Sequence, residues 1–277
     1  MQALLERIVP FQEVEGESTR IELAFDRSAI PYIEQFLYAR DVMYLSCYEK
    51  PKKIIAERML GKAFEELLKV VPEVKPEGLA LLTDHEFMQL VLSACGPMTA
   101  AHRMVKLLMQ GITFEEAADV PVEIDIRKLQ ELLKTGTATK EVMAQVFSKL
   151  PLEIQRWGKA AMRKDEREAC LKIPDSWSET LAQRCEQCKL RADQILLTVP
   201  SWTIVRNWLR EGKIRILLRG DNSGYTVSHL EEMPSVLPEL IPALAGKRLN
   251  VRVFVDPDLS TDQQRAVADA FKQLFRD

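Results

Sequence analysis

Two groups of side chains in this sequence have types and spacings that could do chemistry. The first is basic. Arg40, Lys50, Lys52, Lys53 and Arg58 make the densest positive neighbourhood, and Tyr44 and Tyr48 follow Arg40 at i+4 and i+8 on one helical face. Such a face could hold a nucleotide or a phosphate, with lysine acting as a point charge. Lys52 and Lys53 would oppose the dipole of a helix starting at Pro51, which favours an anion nearby. In the alternative reading the tyrosines pack beneath the helix and the lysines are simply solvated. The candidate nucleotide- or phosphate-binding residues are therefore Arg40, Tyr44, Tyr48, Lys50 and Lys53.

The second group is Cys185-x-x-Cys188, which has metal-ligand spacing. A structural zinc site needs four ligands, and Cys170 is the only other thiol nearby. No strand immediately precedes the pair, as one would in a thioredoxin-like arrangement. On a helix opened by Ser176 the two cysteines lie one turn apart and serve as small core residues.

Three histidines exist: His85 after Asp84, where the acid suits a helix's first turn; His102, alone on a helix; and His229, at the end of a strand. A catalytic metal centre would need at least two of them to converge with carboxylates from distant segments. Serine-nucleophile motifs, phosphate-cradling glycine loops and dinucleotide fingerprints are absent, and Gly220 to Gly224 reads as a turn. Trp202 and Trp208 could anchor a partner, but core packing suits them better. No catalytic residue, metal or cofactor is assigned.

The elements that would position these groups follow from composition and pattern. The 277 residues are 47% apolar, enough for a substantial core, and the length suits two domains. A net charge of −3 from a balanced set of ions gives no global reason to bind nucleic acid or an anionic membrane. No window reaches the run of apolar residues that a membrane span needs, and the N-terminus lacks a leader pattern, so a soluble, cytoplasmic protein is expected. Five cysteines, odd in number and widely spread, are expected to be reduced thiols.

Arg20 to Phe25 alternate like a short strand, and Asp26 with Ser28 offers a helix start. From Pro31 to Cys47, Ile33, Phe36, Leu37, Met43, Tyr44 and Cys47 recur at helical spacing, with Glu34, Gln35 and Asp41 facing away. Pro51 breaks that helix and opens a second, which runs to Val70. Thr83 with Glu86, Thr113 with Glu116, Ser176 with Glu179 and Ser260 with Gln263 have capping-box spacing, and each should open a helix. Further helices are expected between Val122 and Arg191, broken near Thr135, Pro151 and Pro174, with Arg163 to Glu168 a solvated face. Ile195 to Val199, Ile214 to Leu218, the TVSHL segment after the turn, and Val251 to Val255 read as strands. The expectation is an α+β protein. A mainly helical body over residues 1–192 is followed by a small module over 193–277, with the order β-β-β-α-β-α and a short, mostly antiparallel sheet.

Residues 33 to 60 resemble the helical region that follows the catalytic core in HD-domain phosphohydrolases of the deoxynucleotide triphosphohydrolase type. Arg40, Met43-Tyr44 and Tyr48 fall in step with that family's Arg, Met-Tyr and Val-Tyr-x-His pattern. LALLTDHEFMQLVLSA is similar to the family's leucine-rich stretch, and His102-Arg103 falls near its later Arg-containing helix. ILLTVP, IRILLRGDNSGYTVSHL, MPSVLPEL and NVRVFVDPDLS match the family's C-terminal order of elements. The chain departs from the pattern at Lys50, which stands where the family has the histidine of Tyr-x-His, and Pro51 follows it.

Members of the family hold metal ions with a His, a His-Asp pair and a later Asp, to activate water for attack on phosphorus. Those ligands have no counterpart here, and the resemblance begins about where the catalytic core ends. It implies a chain that is not an enzyme by itself. The expected role is a non-catalytic companion subunit or relic of an HD-type nucleotide phosphohydrolase, docking to a separate HD catalytic subunit or to itself as a homo-oligomer. Two alternatives stand beside it: a nucleotide-binding regulator using the basic helical face, and a metal-dependent hydrolase with an unfamiliar site.

Overall fold

The computed structural model describes residues 2–15, 18–48, 50–73, 76–79, 81–122, 167–198, 214–219, 225–233 and 250–275. In chain order these form α1 (Gln2–Leu5), β1 (Ile8–Glu15), β2 (Ser18–Asp26), and a 3-10 turn (Arg27–Ala29) running into α2 (Ile30–Met43) and a π-helical turn (Tyr44–Tyr48). Next come α3 (Pro51–Val70), α4 (Pro76–Leu79), α5 (Asp84–Ala94), α6 (Ala100–Met109), β3 (Glu115–Pro121) and α7 (Arg167–Arg184). Two 3-10 turns (Glu186–Cys188 and Ala192–Gln194) lead to β4 (Ile195–Thr198), and β5 (Arg215–Arg219), β6 (Tyr225–His229), β7 (Asn250–Val255) and α8 (Thr261–Leu274) complete the order. The protein is α+β, as expected, and among the described residues the strand pairs are antiparallel except for β2 with β5.

Several expected features lie outside the described residues: the helices expected over 123–166, the Gly220 to Gly224 turn, Trp202, Trp208, and the helix before β7. Among the described residues no helix is long and apolar enough to cross a membrane.

The chain divides into two compact units that do not follow the expected boundary at residue 193. One takes in the described residues up to Cys47 together with those of Ser201–Leu249; the other takes in those of Tyr48–Val122, Lys149–Pro200 and Asn250–Asp277. Long-range strand pairing is the reason. The C-terminal strands do not share one sheet, as the local pattern suggests, but join two sheets whose other strands come from earlier in the chain.

In the first unit the sheet order is β1-β2-β5-β6. β1 and β2 form a hairpin with Ile8 opposite Phe25 and Glu15 opposite Ser18, and β2 then pairs in parallel with β5 through Phe25 and Ile216. Arg215 ties these strands together: its guanidinium lies 3.0 Å from Glu13 and 3.5 Å from Glu22, with the Phe11 ring 5.8 Å away. At the end of β2, Asp26 caps the 3-10 turn by accepting from the Ser28 N–H at 2.8 Å, as the sequence suggests. The backbone N–H of Asp26 donates to the Arg7 carbonyl, and Arg7 in turn stacks on Tyr32 at 4.5 Å.

In the second unit β7 is the central strand of the order β3-β7-β4, antiparallel to both neighbours. Val251, Val253, Phe254 and Val255 are buried along it, and β4 is buried at every position. Helix α3 starts at Pro51 as expected and turns Ile55, Met59, Ala63 and Leu67 inward. Ile55 and Met59 meet Met104, Phe114, Leu196 and Phe254 in one core cluster; Ala63 and Leu67 meet Val91, Cys95, Ala101 and Val105 in another.

Two of the four capping boxes form, at Thr83 with Glu86 and at Ser260 with Gln263. The other two do not. Gly111, at φ +73°, ends α6 in a Schellman turn, with Ile112 N–H donating to the Leu107 carbonyl and Gly111 N–H to that of Leu108. The chain leaves this turn extended, and residues after Thr113 pair with β7 as β3 rather than forming a helix. Ser176 lies inside α7, which already begins at Arg167 and runs through Pro174.

One ion pair closes this unit. Arg103 on α6 donates to both carboxylate oxygens of Asp256, at 2.6 Å each, and also to Asp258 at 2.5 Å. Asp256 is buried at the end of β7, where its carboxylate also accepts from the Asp258 N–H and its own N–H donates to the Gln194 carbonyl. These hydrogen bonds push the Arg103 guanidinium still further toward its protonated form.

Arg103→Met leaves a buried carboxylate without its cation, so urea denaturation should show a loss on the order of 2–3 kcal/mol, with Arg103→Lys recovering only part of it. A pH effect is expected at Asp26. The Ser28 hydrogen bonds, side chain first and then backbone, hold its carboxyl below the usual aspartate range. Its contribution is fully present above the unfolded-state value and is lost as pH falls through the lowered folded value. Asp26→Asn keeps the cap but cannot titrate, so the acid limb of its stability curve should be flatter than that of the unaltered chain.

Candidate functional site

The five residues expected to bind a nucleotide or phosphate are divided between the two units: Arg40 and Tyr44 belong to the first, and Tyr48, Lys50 and Lys53 to the second. Arg40 lies in the last turn of α2 and donates to the carboxylate of Asp41 at 3.0 Å. Tyr44 is half-buried and opens the π-helical turn that Tyr48 closes, so the α-helical face drawn through Arg40, Tyr44 and Tyr48 ends at Tyr44.

Lys50 occupies the N-cap of α3 in extended conformation, and no side chain caps that terminus. Its carbonyl accepts from the N–H groups of Lys53 and Ile54. Lys50, Lys52 and Lys53 are exposed, and Lys53 pairs with Glu57 one turn on, at 3.2 Å. The first turn of α3 thus carries basic and no acidic side chains, the reverse of what the helix dipole favours.

Arg58 leaves the basic neighbourhood altogether. Its Nη2 donates to Asp175 on α7 at 2.7 Å, and its Nη1 lies 3.6 Å from Glu65. Lys62 contacts the same two acids, at 2.5 Å and 3.1 Å. Two cations and two carboxylates make a network with no net charge to offer an anion.

Helix α2 differs from the expected pattern on both faces. Asp41, expected to face away, is buried at 2% exposure beside Arg40. Phe36 and Met43, expected to pack inward, are 44% and 43% exposed, and Cys47 beyond them is exposed too. Ile33 and Leu37 are buried as expected, and Ile30 joins them on that face. The helix is apolar around much of its circumference, so its periodicity does not single out one side. Tyr32, Tyr38 and Val42 are likewise exposed.

The sheet of the same unit also presents apolar side chains. Ile21 and Leu23, two residues apart and therefore on one face of β2, are 75% and 62% exposed, while Ala24 on the opposite face is buried. A large apolar side chain left in water on both a strand and a helix is the kind of surface that a partner covers. The signal was in the sequence as RIELAF, whose alternation places Ile21, Leu23 and Phe25 together but does not say which face is wet.

His85 sits in the first turn of α5 and His102 on α6, where its Nδ1 lies 3.4 Å from the Cys95 carbonyl; His229 caps a 3-10 turn 4.0 Å from Glu232. Among the described residues no three His, Cys, Asp or Glu side chains gather as a metal ion would need. The cysteine pair is placed differently from expectation. Helix α7 ends at Arg184, so Cys185 caps and Cys188 ends a 3-10 turn after it rather than sharing an α-helical face.

With this geometry in view, residues 12–144 match the family described as HD associated region, which relates the chain to HD-domain proteins. The matched stretch contains β2, α2 and α3, and with them the exposed apolar residues and all five candidate binding residues. No curated protein matches the chain.

Asp175→Asn should show whether the α3–α7 charge network is a structural device. It removes the carboxylate that faces both Arg58 and Lys62, and the expected result is a loss of about 1–3 kcal/mol in denaturant unfolding with the circular dichroism spectrum unchanged.

Proposed function

We propose that this chain is a non-catalytic companion, or relic, of an HD-type nucleotide phosphohydrolase, and that it works by docking its first unit against an HD catalytic subunit. The observation that carries this reading is that Ile21, Leu23, Phe36 and Met43 are exposed apolar residues inside the segment that matches the HD associated region. Burying such side chains against a partner yields on the order of 1.5–3 kcal/mol for each one fully covered, so a few of them suffice for a specific contact. The deoxynucleotide triphosphohydrolase type is the finer part of the proposal, and it rests on the resemblance at Arg40, Met43-Tyr44 and Tyr48.

A second reading has one observation in its favour. Lys50, Lys52 and Lys53 stand exposed at the N-terminus of α3, which no side chain caps and where the helix dipole adds to their charge. In this reading the chain is a regulator that senses a nucleotide. Calorimetry with deoxynucleoside triphosphates separates the two: binding heat that vanishes in Lys50→Ala and Lys53→Ala supports the regulator, and its absence removes it.

The docking proposal is tested by mixing the full chain with HD-domain phosphohydrolases and following both complex formation, by size-exclusion chromatography, and nucleotide hydrolysis. A complex is expected, with affinity at least tenfold weaker for Leu23→Lys and Phe36→Asp, since each places a charge in an apolar contact. Absence of any complex, together with unchanged hydrolysis, would count decisively against it.

A further inference from the structure

We propose that Cys185 and Cys188 form a reversible intramolecular disulfide, a modification site at the turn between α7 and β4. After α7 ends at Arg184, Cys185 caps the 3-10 turn Glu186–Cys188, and the Cys188 N–H donates to the Cys185 carbonyl at 2.8 Å. One 3-10 turn rises about 6 Å and brings side chains i and i+3 into eclipse. That separation falls within the roughly 4.4–6.8 Å between the Cα atoms of natural disulfides. Cys185, at φ −100° and ψ 30°, already departs from helical dihedrals, and Lys189 beyond the pair is left-handed at φ 51°. The Cys185 N–H still donates to the Leu181 carbonyl at 3.0 Å, the last bond of the α-helical ladder, and the 3-10 turn begins beyond it at Glu186.

The two sulfurs are not equivalent. Cys185 is buried and Cys188 is half-buried. Burial first, and the neighbouring Cys188 second, push the Cys185 thiol up. The C-terminal end of α7 also opposes thiolates, whereas catalytic dithiols use a helix N-terminus to favour them. A buried Cys185 whose thiolate is disfavoured closes the disulfide slowly, unlike a resolving cysteine in dithiols whose thiolate is stabilised. The geometry suits a lock rather than a redox catalyst.

The oxidant is a low-molecular-weight disulfide such as oxidised glutathione. The Cys188 thiolate attacks one of its sulfurs; that S–S bond breaks, and one glutathione thiolate leaves. Cys185 then gives its proton to solvent and attacks the Cys188 sulfur, expelling the second glutathione thiolate. Two protein thiols are oxidised, one glutathione disulfide is reduced, and the released protons end on the two glutathione thiols. The lock has a structural target, because the Cys188 carbonyl accepts from Gln263 Nε2 at 3.0 Å, and Gln263 belongs to the capping box that opens α8.

The test incubates the full chain with oxidised glutathione, blocks remaining thiols with N-ethylmaleimide and maps peptides by mass. Trypsin cuts after Arg184 and Lys189, so both cysteines fall in one short peptide that contains no other. The expected result is that peptide two hydrogens lighter, restored by dithiothreitol, with glutathione accumulating on Cys188 in Cys185→Ser. Recovery of both cysteines as maleimide adducts, or of stable glutathione on Cys188 in the unaltered chain, would overturn the proposal. If Cys185→Ser fails to fold, Cys188→Ser decides: Cys185 should then resist glutathione, and rapid uptake there would contradict the order of attack.

Discussion

The carboxylate of Asp256 is the point on which the second unit turns. It sits at the end of the central strand β7, buried, where an unpaired charge would be costly enough to forbid the conformation. Arg103 meets it with two parallel hydrogen bonds from α6, and a third bond of the same guanidinium goes to Asp258 in the turn that follows. The backbone of Asp256 meanwhile reaches Gln194, just before β4. One residue thereby sets where β7 stops, how α6 lies beside it, and where β4 begins. Surface ion pairs rarely do this, because water competes for both partners; here water can reach only the arginine.

Legibility in the sequence followed the range of the interactions. Helix α3 and the boxes at Thr83 and Ser260 were readable because their starts depend on residues three or four apart. Strands β4 to β7 were readable as local patterns, but their assignment to two sheets was not, since β2 joins β5 and β3 joins β7 across long stretches of chain. The misreading of Thr113 as a helix start has a specific cause. Capping-box spacing is necessary for a box but not sufficient, and the Schellman turn at Gly111 delivers the chain already extended to a strand waiting for a partner.

The candidate site shows the same limit. A cluster of Arg40, Lys50, Lys53 and Arg58 looks basic in sequence, yet Asp41 and Glu57 answer Arg40 and Lys53 locally, and Asp175, which binds Arg58 and Lys62, lies on a helix far along the chain. The burial of Asp41 was equally hidden, because a carboxylate is expected in water unless its partner is known. What periodicity could not supply for α2 was direction. A helix with apolar residues on several sides announces burial of something, without saying which residues the fold itself covers and which it leaves for others.

Charge and apolar surface together bear on which reading of function the described residues support. Arg58, Lys62, Arg103 and Arg215 are each engaged by carboxylates of this chain, and Arg252 faces Glu116 at 3.8 Å. Cations paired internally attract an external phosphate weakly at range, and Lys53 in the lysine group at the start of α3 is likewise paired, with Glu57. Large apolar side chains on β2 and α2 have no such internal answer: Ile21 and Leu23 stand in water on a strand whose other face is buried at Ala24. Recognition by burial of apolar area requires a surface of matching shape, and the proposed docking rests on that requirement.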